Sequence, residues 1–157
     1  MKKNITIEKI VIATNLLKDA KLTKMEDADK YKTIKAMKVL NPVSEEYNEF
    51  LDLTREKLKA ENFEEMQEKA RKWQAEGEKT TLTEEERIEI NKFFADYQKS
   101  IEECIKEEIA KEKELDYTPL SEDAFLKLAA SNPDWTMQQI MAVEEVLVFD
   151  NNETKEK

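Results

Sequence analysis

The chain has 157 residues, 39% charged and 39% hydrophobic, with a formal net charge of −10, no histidine, one cysteine and one glycine. The length fits one domain able to fold without cross-links, and the acidic balance argues against DNA, RNA or anionic membrane, whose phosphates call for concentrated Lys and Arg. Lack of histidine removes Ser-His and Cys-His nucleophile pairs and most zinc and di-iron sites; the lone Cys104 excludes an intramolecular disulfide, and one glycine cannot build a phosphate-cradling loop.

Met1-Lys2-Lys3 mimics the basic start of a signal peptide, but Glu8 and Lys9 interrupt the apolar run that such a peptide needs, so no export signal is expected. Thr6 is placed to cap a first helix over about 6 to 20, in which Ile7, Ile10, Val11, Leu16, Leu17 and Ala20 share a stripe. A polar connector over 21–26 leads to a second helix with apolar spacing at Tyr31, Ile34, Met37 and Leu40. Asn41-Pro42 then predicts a kink or a restart, because proline clashes with the preceding turn yet suits a first helical position.

From Pro42 the spacing of Val43, Tyr47, Phe50, Leu51, Thr54 and Leu58 stays helical, and Phe63, Met66, Ala70 and Trp73 extend it to about 75, where Gly77 stops it. Thr83 and Glu86 form a capping box that starts a helix over about 84 to 108, with its stripe at Ile90, Phe94, Tyr97, Ile101, Cys104 and Ile105. This helix is expected to run antiparallel to its predecessor as a long hairpin.

Leu115 and Tyr117 alternate with polar neighbours ahead of Pro119, which predicts a short edge strand near 114–118. Ser121 caps a short helix through Phe125, Leu126 and Leu128, ended by Asn132-Pro133. Thr136 and Gln139 make a capping box for a last helix with Met137, Ile140, Met141, Glu144, Leu147 and Val148 on one face. The expected architecture is mainly α, a long antiparallel helical hairpin with flanking short helices, as one domain over 1–149 with a disordered tail over 150–157. No apolar stretch approaches the roughly 20 residues that span a bilayer.

Charge is uneven along the chain: residues 1–40 carry ten lysines against five acids, while 41–157 carry sixteen basic residues against thirty-one acidic ones. Among the carboxylates, Glu26 with Asp29 and Glu49 with Asp52 have the i, i+3 spacing that could hold Mg2+ by oxygen ligands. These pairs faintly resemble the acidic motifs of all-helical nucleotide pyrophosphohydrolases, in which two such pairs on facing helices clamp Mg2+ and a triphosphate. The clusters Glu84-Glu85-Glu86, Glu102-Glu103 and Glu107-Glu108 alternate with Arg87, Lys92, Lys99, Lys106 and Lys111, the pattern of an exposed helix with spaced ion pairs. Cys104 lies on an apolar stripe and reads as core filling. Trp73 and Trp135 read first as packing anchors, and together with Met137 and Met141 they are the candidate interface residues.

The order of the segments Ile7–Leu17, 28–108, Glu114-Leu115-Asp116-Tyr117 leading to Leu120-Ser121-Glu122-Asp123, and 137–148 resembles a group of small uncharacterised phage- and prophage-encoded proteins. That group has a short first helix, a charged helical hairpin, an extended acidic-hydrophobic segment and a terminal helix rich in Leu and Met. Asn41-Pro42 and the polar stretch at Gly77 depart from it, and it lends no functional residue.

The resulting expectation is a noncatalytic protein-protein interaction protein, phage- or prophage-encoded, acting as an accessory, assembly or minor structural component. The alternative is an acidic inhibitor of a host defence or nucleic-acid-binding protein, and a less favoured one is the Mg2+-dependent hydrolase. No cofactor and no small-molecule substrate are expected, nor a nucleic acid or a membrane. The partner is another protein or a second copy, met in the cytoplasm of a bacterial host or on the virion.

Overall fold

A computed structural model of the chain describes residues 1–149, so the tail expected over 150–157 lies outside the described residues. The protein is mainly helical with one short antiparallel sheet. In chain order the elements are β1 (Lys2–Thr6), α1 (Ile7–Leu17), α2 (Asp27–Lys57), α3 (Phe63–Glu76), a 3-10 turn (Gly77–Lys79), α4 (Glu84–Ile109), β2 (Glu112–Asp116), α5 (Glu122–Ser131) and α6 (Met137–Leu147).

Capping residues set most helix starts where expected. Thr6, Ser121 and Thr136 accept backbone N–H groups from Lys9, Ala124 and Gln139, and at α6 the box is complete because Gln139 accepts the Thr136 N–H. At α4 Thr83 accepts the Glu86 N–H at 3.1 Å. Gly77 ends α3 with φ +57°, a conformation that costs glycine little and other residues more.

Several expected boundaries move: the first helix ends at Leu17 rather than about residue 20, and the strand expected near 114–118 lies at Glu112–Asp116. The restart at Asn41-Pro42 does not occur, since α2 runs unbroken from Asp27 to Lys57, and Asn41 donates to the Glu45 carboxylate at 3.0 Å across the proline turn. The helix expected from Pro42 to about 75 instead ends at Lys57 and resumes at Phe63. The buried face of α2 is also rotated. Thr33, Ala36, Leu40, Val43 and Ser44 are buried, whereas Tyr31 and Ile34 are exposed. Ser44 lies in the core with no hydrogen-bond partner for its hydroxyl.

The described residues gather into two compact units. The larger consists, among the described residues, of Met1–Glu49 and 108–149. Its core joins Ile5 of β1, Ile7, Ile10 and Ala13 of α1, Leu40 of α2, Phe125 and Leu128 of α5, and Val143, Val146 and Leu147 of α6. β1 pairs antiparallel with β2, Lys2 facing Asp116 and Thr6 facing Glu112, so the expected edge strand has a partner that one apolar residue in Lys2–Thr6 did not announce. Asn132 ties the connector to the end of α5: its side chain accepts the Lys21 N–H at 2.8 Å and donates to the carbonyls of Lys21 and Leu128. Ser131 accepts the Lys24 N–H at 2.9 Å, and Met25 is buried beneath.

The smaller unit, Phe50–Glu107, is a helical hairpin with a thin core of Met66, Ile90 and Ile101. The end of α2 and the start of α3 meet α4 through side chains. Phe63 packs its ring 5.8 Å from Phe94 and 5.0 Å from Tyr97, and the Tyr97 hydroxyl donates to the Arg55 carbonyl at 2.7 Å.

Candidate functional site

The carboxylate pairs do not build the metal clamp a hydrolase needs. Asp29 and Glu49 lie on the same helix, twenty residues or about 30 Å apart, rather than on facing helices. Glu26 binds Lys127 at 3.1 Å, while Asp29 and Asp52 lie near Lys32 and Arg55, each at 3.9 Å. Among the described residues no group of three or more Asp, Glu or Cys side chains could hold a metal ion. The resemblance to pyrophosphohydrolases therefore ends at spacing along the chain.

The four candidate interface residues fall into two kinds. Trp73 is half-buried on α3, and Trp135 is half-buried against the larger unit's core. Met137 and Met141, one helical turn apart on α6, are exposed at 74% and 56%. Of the face expected on α6, Met137, Met141 and Glu144 turn outward while Leu147 is buried and Ile140 and Val148 pack partly against the core, which Val143 and Val146 also fill.

A groove of about 610 Å³ opens beside the connector. Its walls are Leu17 of α1, Ala20 and Leu22 of the connector, and Ile34, Met37 and Pro42 of α2. Lys18 and Lys38 stand in the same lining, and neither has an ion-pair partner among the described residues. The ammonium of Lys35, one turn away, lies 4.6 Å from the centre of the Tyr31 ring. Asn132, Ser131 and buried Met25 fix the connector, so one wall of the groove is held by hydrogen bonds rather than left to a free loop.

A second depression of about 420 Å³, between β1, α1 and α6, is lined by charged groups that largely satisfy one another. Lys9 pairs with Glu145 at 3.6 Å, and Lys3 donates to the Glu145 carbonyl at 2.9 Å while lying over the Phe149 ring. A third, of about 220 Å³, is a shallow notch in the smaller unit beside Phe93 and Tyr97.

Protein-family models, curated proteins and solved structures all fail to match this chain. Its function must be argued from its own surfaces. No described helix is long and apolar enough to cross a membrane. On α4 nine acidic side chains face four basic ones, and Arg87, Lys92, Lys99 and Lys106 interrupt the acidic run along its length. Cys104 is half-buried on the same helix and forms no disulfide.

Proposed function

We propose that the protein acts without catalysis, by binding protein surfaces, as a phage- or prophage-encoded accessory, assembly or minor structural component. The observation that carries this reading is the exposure of large apolar side chains on helices whose opposite faces fill a core: Met137 and Met141 on α6, and Tyr31 and Ile34 on α2. Scattered apolar residues are ordinary on any surface, but Met137 and Met141 stand one turn apart on one edge of α6, and Ile34 lines an apolar groove with a fixed wall, the arrangement of contact sites. The phage assignment rests on the order of segments alone.

A second reading, an acidic inhibitor of a host defence or nucleic-acid-binding protein, draws on the excess of acid in α4. The basic residues spaced through that helix count against it, and it requires binding that falls steeply with salt.

Affinity purification of the full-length chain from producing cells, followed by mass spectrometry, is expected to return a protein in about equal amount, and purified particles are expected to contain the chain where it is structural. Turnover of a substrate by the pure protein, lost on changing one acidic residue, contradicts the proposal.

A further inference from the structure

Two surfaces of the larger unit complement each other in length and charge. The first is the groove beside the connector, whose α2 wall runs from Thr33 to Pro42, ten residues or about 13 Å of helix. That is two to three turns, the length over which a helix docks by side chains at i, i+4 and i+7. Lys18 and Lys38 line it without acidic partners, within the segment of the chain where lysine outnumbers acid two to one. The groove is open along its side, which suits a helix edge better than a small molecule that needs enclosure.

The second surface is the outer edge of α6. Met137 and Met141 are exposed there, Glu144 continues the same line at i+7, and Asp134 is exposed just before the helix. Met137 to Glu144 spans about 10 Å, within the length of the groove. Methionine is unbranched and adapts to irregular apolar walls such as Leu22, Ile34 and Met37. Glu145, by contrast, is engaged with Lys9 within its own copy.

We infer that the groove receives the Met137 and Met141 edge of α6 from a second copy of this chain, with Lys18 and Lys38 facing Asp134 and Glu144. The inference rests on the noncatalytic binding reading and names one partner for it. Each copy carries both halves of the contact, so the full-length protein self-associates as its concentration rises.

Sedimentation velocity on the full-length protein tests this through charge exchange. Lys38→Glu and Glu144→Lys each place like charges across the contact and are expected to weaken association about fivefold, the equivalent of roughly 1 kcal/mol. Combining them restores the opposite pairing and recovers most of the loss. Met141→Ser, which leaves every charge in place, weakens association as well. These positions are exposed, and unchanged thermal melts show that the variants fold. A strict monomer, or a double variant no tighter than the singles, overturns the inference. If such a monomer still retains another protein on affinity purification, the binding reading survives with a different occupant in the groove.

Discussion

Tyr117 joins three segments of the larger unit at one side chain. Its hydroxyl donates to the Val146 carbonyl at the end of α6, its ring meets Phe149 edge-on at 5.2 Å, and its backbone N–H donates to the Met1 carbonyl. Burial pushes the phenol well above its ordinary range, because a phenolate there would be stripped of water. The folded state therefore holds the proton more tightly than the unfolded chain, whose tyrosines ionise near pH 10. The stabilisation is present in full below that pH and is lost as pH rises toward the folded value. Tyr117→Phe should cost about 1 kcal/mol at neutral pH, since it leaves the Val146 carbonyl without its donor. It should also flatten the decline in stability between about pH 9 and about pH 11. Urea unfolding of both chains across that range checks the sign, and equal slopes would show that Tyr117 does not carry the effect. At the N-terminus, the Met1 ammonium 2.9 Å from Asp116 holds that carboxyl below its usual range, in a contact exposed to solvent.

At the scale of elements, α2 shows how tertiary packing overrides a local breaker. Pro42 supplies no N–H to the Lys38 carbonyl and its ring crowds that turn, yet the helix continues because Leu40, Val43 and Ser44 on either side of it are buried. Pro42→Ala should accordingly raise stability by about 1 to 2 kcal/mol, read as a higher urea midpoint at unchanged slope; a lower midpoint would mean that the proline shapes the packing. Helix starts were legible from Thr6, Thr83, Ser121 and Thr136, and a strand near β2 from the alternation of Leu115 and Tyr117, about two residues later in the chain than it lies. β1 was not, because Lys-Lys-Asn-Ile-Thr has one apolar residue and gains its strand from pairing with β2. Nor were the buried faces of α2 and α6. α6 is apolar on more than one side, so periodicity fits Met137 and Met141 as well as Val143 and Val146. On α2 the size of Tyr31 and Ile34 favoured the wrong face, and the smaller Thr33 and Ala36 are buried instead.

At the scale of the whole molecule, the groove could not be read from the chain because its walls come from three segments that meet only when Asn132 fastens the connector. Its lysines were visible as an uneven charge distribution, but with no indication that two of them would stand unpaired beside apolar walls. The four carboxylates with suggestive spacing were equally visible, and the continuity of α2 is what separates them. Among the described residues no group of three or more Asp, Glu or Cys side chains could hold a metal ion, and the reading we propose is one of surface contact. Photocrosslinking in the producing cells, from a photoreactive residue placed at Ile34, Met141 or the exposed control position Gln67, tests this most directly. Protein adducts from Ile34 and Met141 but not from Gln67 are the predicted result, and the absence of adducts from both, or equal yields at all three positions, would contradict it.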